Sequence, residues 1–470
     1  MCNAVNTNSL ARSFALAALF VPGVTGIAIA LQWEQRGLSP TTGDEPHYLI
    51  IADAVSHDGR LAVGGAYGRD AFIGKIAGPI DWWNHTVSGP RGVFSVHDIG
   101  LPIVVAPVFA RFGVSGVRIL MGAIAGLIPL IGFRIARLRG LGFNEAIALS
   151  VCTSFSLPFL AAGGQIYPDL VTGVILLALT TMTLALTDRV MPIWTLALTG
   201  VVLAVLPWLH IKNVLPALTL GATLAFVEYS RAWGGAVVRR LAWLATPAIA
   251  SGLLLSWYNH VAFGHILGPY TEQTAAGATG RQAAMIFLGL HLDQAQGVFV
   301  QQPLFLLGLL GLGLLARRSP TLAVGLCFTY LAAIVPNSFH PCWYGCHSIS
   351  GRFMWSVAPL WIVPVVFVYA GLAPRGRRVM LIMCSIGVVS QILLLQRWRP
   401  GGPGRLYLVF AKDLLKRDSL FDAGWRPWLP SFYDFDRYAT YAPNLIAMAV
   451  AAALIALGLV WARGAARENS

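Results

Sequence analysis

Charged residues are scarce in this sequence. Only 11% of its 470 residues are Asp, Glu, Lys or Arg, whereas a soluble domain carries roughly 25%. Apolar residues make up 56% and the mean hydropathy is +0.67. Apolar runs of about 17–20 residues, each long enough to cross a bilayer, recur along the chain, and a membrane barrel would show short alternating strands instead. The sequence therefore predicts an all-α polytopic membrane protein.

Cysteine is also sparse, and its positions are scattered. Most cysteines fall in or beside apolar runs and are interpreted as small buried residues: Cys2, Cys152, Cys327 and Cys384. Cys342 and Cys346 share the loop from His340 to His347, which leaves a local disulfide, free thiols and a metal site as open alternatives. An internal repeat is not visible either, and this counts mildly against a transporter.

The distribution of basic residues indicates the topology. A net charge of +13 would suit a nucleic-acid binder, but the basic residues cluster in short loops between apolar runs, as the positive-inside rule requires. We therefore exclude nucleic acid as a partner and predict about twelve spans in a bacterial inner membrane, with both termini cytoplasmic. Phe14–Leu31 is the first span. Ala28–Ala30 resembles a signal cleavage site, but a retained helix is the simpler interpretation.

The whole chain, residues 1–470, is predicted to form one transmembrane domain with longer loops on the periplasmic side. These loops are residues 33–115, 259–301, 337–352 and 397–442. In the last loop, Tyr407–Leu420 has the pattern of an amphipathic helix on the membrane surface. The first loop is predicted to hold a short helix, Pro46–Ser56, and an interfacial helix, Ile99–Phe112, ahead of the span Val117–Phe133.

The acidic dipeptide Asp44-Glu45 lies about ten residues after the first span. Two carboxylates beside a membrane helix are costly to desolvate unless they are well paired or functional. We interpret the dipeptide as part of a cavity at the outer membrane face. The alternative is that it only caps the short helix that begins near Pro46.

Further motifs follow this dipeptide along the chain. His97-Asp98-Ile99-Gly100-Leu101-Pro102 precedes Phe112-Gly113 and Arg118, Tyr167-Pro168-Asp169 lies between the third and fourth spans, and Lys212 follows the fifth. Together with the dipeptide, these motifs resemble the GT-C glycosyltransferases over about the first 215 residues. That class includes the protein O-mannosyltransferases and the aminoarabinose transferase. The resemblance implies a GT-C-like helical bundle, a polyprenyl-phosphate sugar as donor and inverting transfer.

Such transfer needs a base for the acceptor hydroxyl, and cations or a metal for the leaving phosphate. Asp44 is predicted as the base, while Glu45 orients the site or binds a metal. The candidates for binding substrate or phosphate are Asp169, Lys212, Arg352, His97, Lys75 and Tyr167. For Lys212 and Arg352 the alternative is snorkelling toward lipid headgroups, and for Asp169 it is a helix cap. The need for a divalent metal stays open.

The predicted function is transfer of a sugar from a polyprenyl-phosphate donor to a lipid, glycan or protein acceptor at the periplasmic face. The bilayer, the donor and the acceptor are the expected partners. One alternative is a polytopic transporter or lipid flippase, in which Asp44 and Asp169 would couple to ions. Another is a surface-glycan ligase or polymerase that uses Arg352 and His347.

Overall fold

The computed structural model describes residues 7–37, 41, 43–69, 85–187, 190–231, 235–269, 278–340, 348–349, 351–397, 424–432 and 437–467. Within these ranges the chain is almost entirely helical, apart from one small β-hairpin. Several sequence predictions fall outside the described residues: those for Lys75, Cys342, Cys346, His347 and Tyr407–Leu420.

The described helices are distributed along the whole chain. The α-helices are Thr7–Ala17, Val21–Gln35, Glu45–Asp53, Gly100–Ala125, Leu127–Leu138, Phe143–Ser154, Leu157–Leu160, Pro168–Leu186, Ile193–Leu209, Val214–Tyr229, Gly235–Phe263, Gly280–Leu292, Val298–Gln301, Leu304–Arg318, Pro320–Ser338, Ile362–Gly371, Pro374–Arg397 and Ala442–Arg467. Short 3-10 or π-helical turns are Ala18–Phe20, Ala54–Asp58, Ala66–Gly68, Ala162–Gly164, Ile211–Asn213, Arg352–Met354, Ala358–Trp361 and Arg426–Trp428. The strands are Thr86–Gly89 and Gly92–Ser95.

Eight of the described helices are long and apolar enough to cross a membrane: Arg12–Gln35, Gly100–Leu138, Pro168–Leu186, Ile211–Tyr229, Gly235–Phe263, Pro320–Ser338, Pro374–Leu393 and Ala442–Arg463. The pair Phe143–Ser154 and Leu157–Gly164, bent by 69°, raises this number to nine if it is counted as one span. The predicted polytopic all-α membrane fold is therefore confirmed. The remaining predicted spans coincide with the shorter apolar helices Ile193–Leu209, Leu304–Arg318 and Ala358–Gly371.

The third predicted span, Glu145–Ala162, is broken because of a local backbone change before a proline. Phe155 leaves the helical region with ψ 69, and Ser156 is extended with φ −142 and ψ 154. Pro158 lies in the first turn of the next helix, where its missing N–H costs nothing. The break leads into the turn Ala162–Gly164, which directly precedes the motif at Tyr167.

A glycine also bends the helix after the first loop. The sequence predicts an interfacial helix, Ile99–Phe112, that is separate from the span Val117–Phe133. In the structure both belong to Gly100–Ala125 and its continuation, with a change of direction at Gly113. Gly113 has φ 63 and ψ −158, a conformation that side chains with a Cβ rarely adopt. The predicted break is therefore present as a bend within one element.

In the second half of the chain, glycines allow neighbouring helices to cross closely. A Cβ at Gly311 would lie 2.0 Å from the carbonyl oxygen of Pro364, and one at Gly313 would lie 2.3 Å from the backbone of Gly458. Helix Leu304–Arg318 therefore packs backbone to backbone against two neighbours. Small residues at such crossings are typical of membrane helix bundles, where van der Waals packing drives association.

The short helix after the acidic dipeptide is enclosed by the rest of the protein. Every residue of Glu45–Asp53 is buried. The helix continues as the π-helical turn Ala54–Asp58 and ends at Gly59, whose φ of 62 is left-handed. The helix predicted over Pro46–Ser56 is thus present within a residue or two of its expected bounds. Because it is buried, its first turn faces the interior of the bundle.

A β-hairpin in the first loop has no counterpart in the sequence predictions. Thr86 pairs with Ser95, and Gly89 pairs with Gly92 across the turn. The pairing continues one residue further, since the Val96 amide donates to the His85 carbonyl at 3.0 Å. The hairpin therefore brings the segment at residue 85 alongside the motif that begins at His97.

Candidate active site

Four charged side chains from four separate segments meet at one end of the helical bundle. Arg352 Nη2 donates to Asp44 Oδ2 at 2.5 Å, and Arg352 Nε donates to Asp169 Oδ2 at 3.3 Å. Lys212 Nζ donates to the other oxygen of Asp169, Oδ1, at 2.7 Å. The result is a continuous chain of ion pairs, Asp44–Arg352–Asp169–Lys212. We refer to these four residues as the charge cluster.

Each member of the charge cluster stands at the end of an element. Asp44 directly precedes the helix Glu45–Asp53, and Asp169 is in the first turn of Pro168–Leu186. Lys212 belongs to the turn Ile211–Asn213, which connects two membrane helices, and Arg352 begins the turn Arg352–Met354. The loops that hold them all lie on one face in the predicted topology. Their convergence agrees with that alternation of spans.

Arg352 is held in place by its surroundings. Its guanidinium carbon lies 3.8 Å from the centre of the Tyr167 ring, a stacked cation–π arrangement. Gly351, with φ 84, turns the chain ahead of it, and the Gly351 amide donates to Gln296 Oε1 at 2.6 Å. Asn337 Nδ2 also donates to the Phe353 carbonyl at 2.9 Å. The guanidinium is therefore fixed from both its ring face and its backbone.

The two acids of the charge cluster differ in access. The side chain of Asp44 is 25% exposed and that of Asp169 is 0% exposed, while Arg352 is 9% and Lys212 is 16% exposed. A substrate can therefore reach the carboxylate of Asp44 directly, whereas Asp169 is enclosed by its two cations. Of the two acids, Asp44 is therefore the one whose carboxylate is open to solvent.

The electrostatics of the cluster favour the ionised forms. Burial raises the pKa of Asp44, but the charge of the Arg352 guanidinium and its hydrogen bond lower it more, so the carboxyl stays well below its usual range. Burial opposes the charge of Arg352, yet Asp44, Tyr167 and Asp169 hold its pKa well above the usual value. Both groups are therefore charged at neutral pH.

Neither acid of the dipeptide serves mainly as a helix cap. Among the described residues, the helix that begins at Glu45 receives no side-chain cap from Asp44, because that carboxylate binds Arg352. Glu45 is fully buried, and its Oε1 accepts a hydrogen bond from the Ile166 amide at 2.7 Å. Glu45 thus ties the short helix to the turn before Tyr167.

The contacts of Asp169, Lys212 and Arg352 also differ from the alternatives considered for these residues. Asp169 occupies the first turn of its helix, but its carboxylate is bound by Lys212 and Arg352. The two cations point into the protein at these carboxylates, so neither snorkels toward headgroups. Arg118, from the family-like motif, is 1% exposed and donates to the Gly164 carbonyl at 3.2 Å.

His97 lies beside the charge cluster, next to two other histidines. Its Nε2 is 2.9 Å from Nδ1 of His85, and the ring of His47 stacks on that of His85 with centroids 3.8 Å apart. Burial lowers the pKa of His97 to about 4 and, with the neighbouring imidazoles, that of His47 to about 2. His97 and His47 are therefore neutral at physiological pH. The sequence predictions included His97 but not this grouping.

Asp98 is a further, largely buried acid that is not among the predicted site residues, although it lies in the motif at His97. Its Oδ2 accepts a hydrogen bond from the Ile211 amide at 3.2 Å and lies 3.7 Å from His210 Nδ1. Burial raises its pKa to about 7, while the Ile211 amide and Lys212 act in the opposite direction. Asp98 therefore positions the turn that carries Lys212.

Comparisons with known proteins return matches only in fold. No family model matches the sequence, and no curated protein matches it. Crystal structures of ArnT from Cupriavidus metallidurans, bound to undecaprenyl phosphate and in the apo state, each align with a TM-score of 0.47 at 15% identity, over 98% of this chain and 75% or 76% of theirs. An oligosaccharyltransferase from Archaeoglobus fulgidus aligns with a TM-score of 0.41 at 11% identity, over 93% of this chain and 56% of its own. At these identities and TM-scores the similarity concerns the overall fold alone.

Proposed function

We propose that this protein is a membrane glycosyltransferase that moves a sugar from a polyprenyl-phosphate donor to an acceptor hydroxyl. The observation that carries the proposal is the charge cluster, in which a partly exposed carboxylate, Asp44, contacts a buried guanidinium, Arg352. The motifs around residues 44, 97 and 167 support it through their resemblance to the GT-C class. The acceptor is a lipid, a glycan or a protein.

The cations suit the phosphate of the donor. Arg352 presents a planar set of donors that matches phosphate oxygens, and Lys212 adds a compact charge on the far side of Asp169. Stacking on Tyr167 keeps the guanidinium oriented without consuming its hydrogen-bond donors. A leaving phosphate would therefore find two cations already in position, which is the main requirement for this reaction.

Asp44 acts as the base in this mechanism. The acceptor O–H transfers its proton to the Asp44 carboxylate while the oxygen attacks the anomeric carbon, and the bond from that carbon to the phosphate oxygen breaks. The polyprenyl phosphate leaves as an anion beside Arg352 and Lys212. A single displacement of this kind inverts the anomeric centre and needs one base.

Donor binding would also activate that base. Without donor, Arg352 keeps the pKa of Asp44 low, and a weakly basic carboxylate is a poor proton acceptor. A donor phosphate competes for the same guanidinium and draws it away from Asp44. The pKa of Asp44 then rises, so the base gains strength only when a sugar is present to transfer.

The alternatives fit the geometry less well. A transporter places ion-coupling charges within its spans, whereas the members of the charge cluster stand at helix ends. A buried charge that does lie within a described span, Arg118, is bound to the Gly164 carbonyl and lies 3.7 Å from Glu34. The ligase alternative relies on Arg352, which contacts Asp44 and therefore shares one site with it.

The decisive experiment compares the lipids that co-purify with wild type, Asp44→Asn and Glu45→Gln. Asp44→Asn removes the base but keeps the size of the side chain, so we expect loss of transfer by about 10²–10⁴-fold and accumulation of a polyprenyl-phosphate sugar, detected by mass spectrometry. Glu45→Gln keeps an oxygen for the Ile166 amide, and a loss under about tenfold is expected. Full transfer by Asp44→Asn would contradict the assigned base.

The proposed site faces the periplasm of a bacterial inner membrane, with both termini in the cytoplasm. We expect a cysteine at the exposed His57, introduced as His57→Cys, to react with an impermeant maleimide in intact spheroplasts. A cysteine at the exposed Ser230, near the basic loop, is the matched control and should react only after lysis. The reverse pattern, judged against wild type, would contradict this orientation.

A further inference from the structure

Three histidines from two separate segments lie together next to the charge cluster. One ring nitrogen of each of His47, His85 and His97 lies within 4.8 Å of the other two. In the described part of the chain, this is the group of His, Cys, Asp or Glu side chains whose ligand atoms lie close enough together to hold a metal ion. We refer to it as the imidazole trio.

The trio is built on regular backbone. His47 is in the first turn of the buried helix Glu45–Asp53, while His85 and His97 flank the β-hairpin. The hairpin register fixes those two relative to each other, because Thr86 pairs with Ser95 and the Val96 amide donates to the His85 carbonyl. Because helix and hairpin backbone fix the three Cα positions, the rings need only rotate about their side-chain bonds to converge on one ion.

Tyr67 fixes the orientation of one ring. Its hydroxyl lies 2.7 Å from Nδ1 of His47, and His47 is only 3% exposed. The other ring nitrogen of His47, Nε2, is therefore the atom left for a ligand. A hydrogen bond on the second ring nitrogen is the usual arrangement of histidines that bind metals, because it sets the tautomer and the ring angle.

Two ring nitrogens of the imidazole trio already approach each other closely. All three rings are nearly parallel, with interplanar angles of 17° to 21°. Stacking alone requires only the ring faces, yet His85 Nδ1 and His97 Nε2 approach to 2.9 Å. That contact holds one proton between two nitrogens. A cation bound there would take both lone pairs, and the proton would move to the other nitrogen of the donating ring.

The chemistry of the trio selects the ion. Neutral imidazoles bind borderline transition metals such as Zn²⁺, whereas Mg²⁺ and Ca²⁺ prefer oxygen ligands. Three histidines with an open fourth position form a recurrent zinc arrangement. The carboxylate of Asp44 is within electrostatic range of His85 and His97, so a cation here would gain a nearby counter-charge.

We propose that His47, His85 and His97 bind one zinc-class divalent ion beside the charge cluster. The ion would link the helix that carries Asp44 to the hairpin of the first loop. The proposal rests on the geometry of the three rings and does not depend on the reaction, so it holds or fails separately from the transferase assignment.

The test uses full-length, tag-free protein in detergent, stripped with a chelator and then titrated with Zn²⁺ or Mg²⁺. We expect wild type to retain about one zinc per chain by elemental mass spectrometry, and to show a zinc-dependent rise in its thermal midpoint. Magnesium should produce neither effect. Cobalt should give the visible absorption of a nitrogen-ligated site.

Variants assign the ligands. His85→Gln and His97→Gln should each lose zinc affinity by at least about tenfold, whereas the exposed His57→Gln is the matched control and should bind as wild type. Tyr67→Phe keeps all three ligands and serves if a ligand variant fails to fold; removing the orienting hydroxyl should weaken binding about tenfold. Wild type without bound zinc, or unchanged affinity in His85→Gln and His97→Gln, would overturn the proposal.

Discussion

The two ends of the helical bundle handle charge in opposite ways. At the site end, the charge cluster is buried or partly buried, and each member contacts an oppositely charged partner within the protein. At the other end, the arginines are mostly exposed: Arg134, Arg137, Arg317, Arg318, Arg375 and Arg378. A buried charge costs several kcal/mol unless it is well paired, whereas an exposed one costs little.

This difference separates two roles for charge in one chain. Exposed arginines beside membrane helices are sufficient to set topology, because the positive-inside rule counts charges and does not require particular contacts. The site end instead shares one guanidinium between two carboxylates at defined distances, which topology alone does not require. We therefore attribute the first set to orientation and the second to function.

The largest expected effect comes from removing Arg352 in comparison with Arg378. Arg352→Ala leaves Asp44 without its cation and Asp169 with only Lys212, so we expect transfer to fall about 10²–10³-fold and the free energy of unfolding to fall by about 3 kcal/mol. Arg378→Ala should change neither by more than about twofold or 0.5 kcal/mol. Transfer is measured in proteoliposomes and stability by thermal unfolding in detergent.

Arg352→Lys sharpens this prediction. Lysine keeps the charge but contacts one carboxylate where the arginine fork contacts two, so an intermediate loss is expected. If Arg352→Ala and Arg378→Ala had equal effects on transfer, the distinction between the two ends would be wrong.

The next effect concerns coupling within the charge cluster. Lys212→Met leaves the buried Asp169 with Arg352 alone, while Asp169→Asn leaves two cations facing each other. Because each single change strands a charge, the double variant should be more stable than the sum of the single losses predicts, by about 1–3 kcal/mol. Thermal unfolding of the four proteins in the cycle measures this coupling.

A matched pair at the other end provides the control. Arg240 Nε donates to Glu228 Oε2 at 2.6 Å, and Arg240 also donates to the Met191 carbonyl at 2.6 Å. A cycle with Glu228→Gln and Arg240→Met should couple as strongly in stability but leave transfer intact. If transfer were also lost in that cycle, breaking any buried ion pair would explain the loss, and the place of the charge cluster at the site end would not.

The sequence predicted the members of the site better than their arrangement. Asp44 is predicted from its dipeptide after the first span, Asp169 and Lys212 from the motifs that resemble the GT-C class, and Arg352 as a cation for the phosphate. Their order in the ion-pair chain depends on which helix ends touch, which a single sequence does not encode locally. The number of spans is likewise not encoded locally, since helices such as Ile193–Leu209 are shorter than a typical membrane span.

The imidazole trio was missed for a related reason. His47 falls in the predicted helix Pro46–Ser56 and His97 in the motif that begins there, but they meet through a hairpin of two four-residue strands. Strands of this length show little alternation. The signal that was available is the turn Gly89-Pro90-Arg91-Gly92, since glycine and proline mark a reversal of the chain. Pairing across that reversal would have placed His85 near His97.

The smallest expected effect is a pH dependence at the site end. Asp293 is fully buried, and its carboxylate accepts hydrogen bonds from the amides of Ala295 at 2.8 Å, Gln296 at 3.1 Å and Phe432 at 3.0 Å. Gln296 in turn holds Gly351, the residue before Arg352. Asp293 therefore positions Arg352 through Gln296 and Gly351.

Burial raises the pKa of Asp293 from 3.8 to about 6, although the three amides lower it. A raised pKa in the folded state means that this group stabilises the fold fully below about pH 4, and that the contribution is lost as the pH rises through about 6. Wild type should lose about 1–2 kcal/mol over that window relative to Asp293→Asn, which does not titrate. Thermal midpoints measured from pH 4 to 7 test this. Parallel profiles for the two proteins would mean that the carboxyl is ionised throughout, and that its three amide bonds outweigh its burial.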